Sequence, residues 1–176
     1  MERTRSKLSA TLLERRKKAG RVQYLLLDVD GVLTDGTLYF DENGKEIKGF
    51  SIYDGHGIHL LKSAGLGVGI VSGRSSGVVA WRAKELGIDD LFQGIRDKVA
   101  AYEMIRAKHR LEDAAVAYVG DDLIDLPLLR RVGLSISVPN AVDSVKREVD
   151  WVTEHRGGEG AVREVIDFIL AARSMA

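Results

Sequence analysis

Two apolar segments of this chain end in acidic residues. Asp28 and Asp30 follow the apolar run Tyr24–Leu27, and Asp121 follows a second apolar run at residues 114–119. Asp28 and Asp30 stand two residues apart in a segment expected to be extended, so their side chains should point the same way. Buried carboxylates repel one another and lose their hydration, which is costly unless a cation compensates them. The pattern therefore predicts a shared cation site.

The available ligands favour a hard divalent cation. The chain contains no cysteine, and carboxylate oxygens are the ligands that Mg²⁺ prefers, with Mn²⁺ as the next choice. Mg²⁺ usually completes its shell with water and a phosphate oxygen. Ser72 follows a third apolar run and Lys98 begins a predicted helix, so both could hold further phosphate oxygens. We therefore expect a Mg²⁺ site that receives a phosphate ester.

Two carboxylates beside a bound phosphate could divide the work of its hydrolysis. One could attack phosphorus and form an aspartyl-phosphate. The other could protonate the leaving alcohol and then deprotonate the water that frees the enzyme. The cation and Lys98 would offset the charge that develops on the phosphate oxygens. These residue types predict a phosphomonoesterase.

The rest of the chain alternates between apolar strands and helices. Strands are predicted near residues 24–27, 66–72, 91–95, 114–119, 134–139 and 151–154, and helices at residues 56–65, 75–87, 97–109, 123–133, 141–149 and 160–174. This alternation predicts an α/β fold, a Rossmann-like three-layer sandwich with a mostly parallel sheet. A turn signal at residues 41–44 predicts a β-hairpin insertion after the first strand, and the spacing leaves no room for a cap domain. In such sheets the chemistry collects at the carboxyl ends of the strands.

Composition excludes several classes of partner. Lys and Arg total 26, as do Asp and Glu, so the formal net charge is zero, which gives no case for nucleic acid or an anionic membrane. No apolar run is long enough to span a membrane. The absence of cysteine excludes disulfides and fits a cytoplasmic protein. The length of 176 residues favours one domain.

The first 21 residues are rich in Lys and Arg, with Leu8, Leu12 and Leu13 between them. Such a segment could be a transit peptide or a helix that lies on a membrane surface. Because its apolar face is short, we expect a solvated helix packed on the domain.

Four short motifs resemble those of the haloacid dehalogenase superfamily of phosphatases: DVDGVLTDG, IVSGR, GIRDK and GDDLIDLP. The resemblance runs from about Tyr24 to Ile169. It implies Asp28 as nucleophile, Asp30 as acid/base, and Ser72 and Lys98 as phosphate holders. It also implies Mg²⁺ bound by Asp28, the backbone carbonyl of Asp30, and Asp121, with Asp122 and Asp125 supporting these ligands. Residues 1–20 would then be an N-terminal helical extension, and residues 21–176 a single phosphatase domain.

Longer stretches are similar to a capless family within that superfamily, the 3-deoxy-D-manno-octulosonate 8-phosphate phosphatases. These include FSIYDGHGI, AYVGDDLIDLPLL and RGGEGAVREV. The resemblance implies homotetramers whose hairpins meet at the centre, and a product that feeds lipopolysaccharide synthesis. It implies substrate contacts from Asp30, Ser51, Ile52, Tyr53, Asp54, Gly55, His59, Arg74, Arg82 and Lys98. Many members are expected to have Arg where this chain has His59, whereas Arg74 favours the eight-carbon substrate.

The residues alone also permit other interpretations. The substrate could be a related sugar phosphate or a nine-carbon sugar-acid phosphate, or the chain could be a receiver-like domain that is phosphorylated without turnover. Asp122 and Asp125 could cap the helix near Leu123, and Ser72 could be a helix N-cap. Arg82 could be a solvated surface residue. The RGGEG segment could bind an anion through its backbone amides or act as a hinge, and the resemblance favours a tail that reaches a neighbouring active site.

Overall fold

The computed structural model describes residues 2–174, with side chains from residue 11 onward. Its main sheet contains six strands, which are β1 (Tyr24–Leu27), β4 (Gly67–Val71), β5 (Asp90–Phe92), β6 (Val116–Val119), β7 (Leu134–Ser137) and β8 (Trp151–Val152). All neighbours pair in parallel, in the order β5-β4-β1-β6-β7-β8. The chain leaves β1 toward β4 on one side and later adds β6 on the other. The carboxyl end of β1 therefore lies at the point where the strand order reverses, which is where such sheets form a crevice.

Helices cover both faces of this sheet. They are α1 (Glu2–Arg21), α2 (Ile52–Ser63), α3 (Gly77–Glu85), α4 (Lys98–His109), α5 (Leu126–Leu129), α6 (Asp143–Lys146) and α7 (Ala161–Arg173). Leu25 and Leu27 of β1 pack in a core with residues of α1, α2, α3 and α7. Tyr24 and Leu26, whose side chains alternate to the other face, pack with residues of α4, α5 and α6. This confirms the predicted three-layer α/β sandwich.

The insertion after β1 is the predicted hairpin. Its strands β2 (Tyr39–Phe40) and β3 (Glu46–Ile47) pair antiparallel in a separate two-stranded sheet. Asp41 closes the turn by accepting hydrogen bonds from the amides of Asn43 and Lys45 at 2.9 and 2.8 Å. The apolar side chains of both strands are exposed. No cap domain is present among the residues that the structure describes.

The N-terminal helix packs on the domain through its last turns. Ala19 is fully buried, and Lys18 pairs with Asp150 at 2.5 Å. The guanidinium of Arg15 lies 5.1 Å from the ring centroid of Trp151. Leu12 and Leu13 remain exposed. Within residues 2–174, none of the helices has both the length and the apolar character that crossing a bilayer would require.

Two of the predicted helices that differ from the structure lie next to the site. Helix α2 begins at Ile52 rather than near residue 56, because the Ser51 hydroxyl accepts a hydrogen bond from the Asp54 amide and caps it. The helix predicted over residues 123–133 is a 3-10 turn (Leu123–Asp125) followed by the single turn of α5.

Candidate active site

Asp28 and Lys98 come together from opposite sides of the crevice. Asp28 directly follows β1, and its amide donates to the carbonyl of Val119 in β6 at 3.0 Å. Lys98 is the first residue of α4, whose N-cap Asp97 accepts from the amides of Val99 and Ala100. This cap fixes where the helix begins and directs Lys98 inward. The ammonium of Lys98 lies 2.8 Å from Asp28 Oδ1, and both side chains are buried.

Asp125 holds this arrangement through both carboxylate oxygens. Its Oδ1 accepts from Lys98 at 2.5 Å and from the Tyr118 hydroxyl at 2.6 Å. Its Oδ2 accepts from the amides of Asp121 and Asp122 at 2.9 and 3.0 Å. These four donors occupy the side chain, so Asp125 fixes the loop after β6 and positions Lys98.

Asp121 completes a cluster of three carboxylates. One oxygen each from Asp28, Asp121 and Asp125 lie within 4.8 Å of one another. Gly31 allows Asp121 to approach the loop after β1, since a Cβ at residue 31 would lie 2.0 Å from Asp121 Oδ2. Gly31 also adopts φ of +90°, a conformation that side chains disfavour.

The electrostatics of the cluster show an excess of negative charge. Burial raises the pKa of Asp28 to about 6, although Lys98 opposes the shift. Burial and the charges of Asp28 and Asp125 raise the pKa of Asp121 to about 8. The same two carboxylates hold the pKa of Lys98 above its usual value despite its burial. One ammonium does not neutralise three carboxylates, so the cluster is suited to a further cation.

The donor set fits a hard divalent ion. The described residues do not saturate the carboxylate oxygens of Asp28 and Asp121, whereas Asp125 is fully engaged by its four donors. Oxygen ligands from two carboxylates, with room for water and phosphate, are what Mg²⁺ uses. This arrangement can hold such an ion beside a phosphate group.

Comparison with known proteins places the chain in a family. Residues 90–166 match the model for haloacid dehalogenase-like hydrolases. The 3-deoxy-D-manno-octulosonate 8-phosphate phosphatase KdsC of Escherichia coli K12 is 44% identical over 156 residues, covering 89% of this chain and 83% of that protein. The chain belongs to the KdsC phosphatase family. The prediction of this family from sequence motifs is thereby confirmed.

Solved structures of KdsC phosphatases share the fold. The Yersinia pestis enzyme superposes with a TM-score of 0.90 at 41% identity, covering 92% of this chain and 87% of that one. The Moraxella catarrhalis enzyme was crystallised with magnesium ion, phosphate ion and KDO, and superposes with a TM-score of 0.89 at 42% identity. The alignment with it covers 92% of both chains.

The segment from Asp28 to Asp30 does not have the extended conformation that the sequence analysis predicts. The backbone is not extended there, because the Val29 carbonyl accepts from the amides of Val32, Leu33 and Thr34 and forms a turn. As a result, the two carboxylates have different partners. Asp28 pairs with Lys98, whereas Asp30 pairs with Lys48 and, at 3.5 Å, with Arg74.

Ser72 and Arg74 lie on the loop after β4. Ser72 is buried, and its hydroxyl accepts from the Arg74 amide at 3.3 Å. It is not a helix N-cap, since the N-cap of α3 is Ser76. Arg74 is half-exposed and reaches both Asp30 and, at 2.8 Å, Glu46 of the hairpin. The structure therefore brings Arg74 to the predicted acid/base residue.

The predicted substrate contacts on and around α2 divide into two groups. Ser51, Asp54, Gly55 and Arg82 line one small cavity. A guanidinium nitrogen of Arg82 lies 3.5 Å from the Ser51 carbonyl oxygen, and a Cβ on Gly55 would lie 2.4 Å from that same nitrogen. Arg82 is thus packed on α2 and is not a freely solvated surface residue. The second group, Ile52, Tyr53 and His59, is exposed.

Asp54 has a role that its sequence position did not indicate. Its Oδ1 accepts from the Arg163 amide at 2.8 Å in the first turn of α7. Its Oδ2 is buried without a hydrogen-bond partner among the described residues. Burial raises the pKa of Asp54, although the amides at the start of α7 oppose the shift. Asp54 therefore joins α2 to α7.

Asp122 and Asp125 form a capping box on the 3-10 turn. Asp122 accepts from the Leu123 amide at 2.7 Å, while Asp125 accepts from the Asp122 amide. The capping interpretation is therefore right for both residues. Asp125 in addition contacts Lys98, so it supports the cluster directly.

The RGGEG segment packs on its own chain. The Gly158 amide donates to the Val32 carbonyl at 2.9 Å, and the Gly157 amide donates to Asn140 Oδ1 at 2.8 Å. A Cβ on Gly157 would lie 1.7 Å from the Gly31 carbonyl oxygen. Close backbone contact therefore holds the segment against the loop after β1 of its own chain, and α7 then covers the sheet. The reach of this segment to a neighbouring active site stays a prediction.

Sequence reasoning missed Lys48, Glu46 and Asn140. Lys48 and Glu46 lie at the end of the hairpin and connect to Asp30 and Arg74. Asn140 Nδ2 donates to the Gly31 carbonyl at 2.8 Å. The available signal was the pair of charged residues Glu46 and Lys48, in and just after a short strand that leads back toward the domain. Charged residues are common in edge strands, so this signal does not point to a site.

Proposed function

We propose that this chain is a Mg²⁺-dependent phosphomonoesterase that releases phosphate from 3-deoxy-D-manno-octulosonate 8-phosphate. The observation that carries this proposal is the cluster of Asp28, Asp121 and Asp125, in which Asp28 and Asp125 are buried and which Lys98 leaves negatively charged. Membership in the KdsC family supports the choice of substrate. So does the relative from Moraxella catarrhalis that holds magnesium, phosphate and KDO.

In this proposal Asp28 is the nucleophile. One of its oxygens attacks phosphorus, and the bond from phosphorus to the sugar oxygen breaks. Asp30 gives its proton to that leaving oxygen. Asp30 then takes a proton from water, which attacks phosphorus and releases phosphate from Asp28. Lys98 orients Asp28 at 2.8 Å, and Ser72 and Lys98 hold phosphate oxygens.

Asp28, Asp121 and the backbone carbonyl of Asp30 would hold the magnesium ion. When bound, Mg²⁺ supplies positive charge that neutralises the cluster and polarises the phosphoryl group. Asp122 and Asp125 support these ligands by fixing the loop after β6.

The sugar acid is assigned to the mouth of the crevice. Arg74 and Arg82 can each bind a carboxylate or hydroxyl groups through a planar guanidinium. We retain Ser51, Ile52, Tyr53, Asp54, Gly55 and His59 as contacts within this proposal. Of these, the exposed Ile52, Tyr53 and His59 are available to a substrate bound between subunits.

A homotetramer in the cytoplasm completes the proposal. The hairpin exposes Leu38, Tyr39, Phe40 and Ile47, and contiguous exposed apolar side chains mark contact surfaces. A capless site gains walls from such contacts, which would improve substrate discrimination. Sedimentation should give a tetramer, and a monomer with undiminished selectivity would contradict this part.

The test of the activity is turnover on a panel of phosphate esters, with Mg²⁺ and with a chelator. The panel contains the eight-carbon and nine-carbon sugar-acid phosphates and simple sugar phosphates. We expect the eight-carbon ester to have the highest kcat/KM and the chelator to abolish turnover. Equal rates on all esters would indicate a broad phosphatase, and a stable aspartyl-phosphate without turnover would indicate a receiver-like domain.

A further inference from the structure

The hairpin places a buried lysine against the proposed acid/base residue. Lys48 follows β3, and its side chain is only 2% exposed. Its ammonium makes a short hydrogen bond to Asp30 Oδ1. Lys48 also lies 3.3 Å from Glu46 Oε1. The hairpin thus leaves the domain after the Asp30 loop and returns to pair with that same loop.

Glu46 fixes this lysine and a second cation around Asp30. Its Oε1 accepts from Arg74 at 2.8 Å, and its Oε2 accepts from the Ser76 hydroxyl at 2.5 Å. Arg74 in turn lies 3.5 Å from Asp30 Oδ2. Each oxygen of Asp30 therefore faces one cation, and Glu46 touches both cations.

The burial of Lys48 requires an explanation because removing an ammonium from water costs several kcal/mol. Only a geometry with paired carboxylates offsets that cost, and Lys48 has two, Asp30 and Glu46. An exposed lysine on the same hairpin, Lys45, has neither contact. Lys48 thus lies on the face of the hairpin that contacts Asp30.

We propose that Lys48 is a positioning residue for Asp30 in the phosphatase reaction, an inference that rests on the proposed function. Lys48 holds the Asp30 carboxyl at the leaving-group side of the crevice, where proton transfer depends on orientation. Glu46 keeps Lys48 and Arg74 in place. The hairpin therefore contributes to catalysis within one subunit, in addition to any contact between subunits.

The test exploits two esters that differ in their need for an acid. The octulosonate ester releases an alkoxide that needs a proton, whereas 4-nitrophenyl phosphate releases a stable phenolate. In the variant Lys48→Met, we expect the rate of the first step, measured by rapid quench, to fall about 10- to 100-fold on the sugar ester. The burst of 4-nitrophenol should change less than about threefold, as should both rates in the control Lys45→Met.

The ratio of the two rates cancels any loss of folded protein, since both esters report on the same preparation. Lys48→Arg, which keeps a cation, should recover part of the lost rate on the sugar ester. An equal fall on both esters in Lys48→Met, or no fall on either, would overturn the role of Lys48. The wild-type rate on the sugar ester tests the proposed function separately.

Discussion

The two ends of helix α4 carry two charge clusters with opposite balances, each built around a buried carboxylate. At its first residue, Lys98 faces Asp28 and Asp125, and Asp121 lies beside them. At its last turn, the single carboxylate of Asp90 accepts from Lys108 at 2.7 Å and from Tyr24 at 2.5 Å. A nitrogen of His109 lies 2.6 Å from the same carboxylate.

The difference separates a cluster whose charge the protein itself satisfies from one that keeps an excess of negative charge. Although burial alone would raise it, hydrogen bonds from Lys108, Tyr24 and His109 hold the pKa of Asp90 below its usual value. At the other end, burial and like charges raise the pKa of Asp28 and Asp121. A charge that the protein itself satisfies ties elements together, whereas an unsatisfied excess is retained for something that binds.

Loss of the Asp28 carboxylate should lower turnover more than any other change at these two clusters. Replacing the proposed nucleophile, Asp28→Asn, should lower turnover by on the order of 10⁴-fold or more. Thermal unfolding without metal should be unchanged or shifted upward, because one of three mutually repelling carboxylates is gone. A variant that keeps full turnover would contradict the role of Asp28.

The matched change at the opposite end should have the reverse outcome. Asp90→Asn removes a carboxylate that Lys108 and the Tyr24 hydroxyl contact, and should lower the free energy of unfolding by about 2 kcal/mol. Turnover per folded molecule should stay within about threefold of wild type. Urea unfolding and active-site titration measure the two quantities. A large loss of turnover with unchanged stability would show that this cluster is not merely structural.

The two clusters should also differ in how pH changes the stability of the metal-free protein, which is a smaller effect. In metal-free protein the folded pKa of Asp121, about 8, lies above its unfolded value, so its contribution to stability is lost as pH rises toward 8. Without Mg²⁺, Tm should fall by about 3 °C between pH 6 and pH 8. Asp90, whose pKa is lowered, loses its contribution only in the acid range and adds nothing to this trend.

Saturating Mg²⁺ should remove the pH trend, because the ion replaces the proton on the cluster. Asp121→Asn should remove it as well, and Asp90→Asn should leave it in place. Thermal scans in chelator and in Mg²⁺ across this range provide the measurement. A metal-free Tm that is constant or rises between pH 6 and pH 8 would contradict the assignment of Asp121.

Several parts of the site were predictable because they follow strand ends. Asp28, Ser72 and Asp121 each come after a continuous apolar run, and parallel strands bring such positions to one edge. Lys98 was predictable because Asp97 is a capping residue at the start of an amphipathic helix. The contact of Asp30 with Lys48 was not, because Lys48 follows a hairpin strand whose position depends on side-chain contacts.

The layers, the strand-end carboxylates and the family follow from the sequence alone, since periodicity and local motifs are properties of neighbouring residues. The contacts of Lys48 with Asp30, of Asp54 with α7 and of Gly157 with Gly31 arise only when the elements pack together. These contacts join residues far apart in the chain. Their partners are selected by packing and by the cost of leaving buried charges unpaired, which no local pattern records.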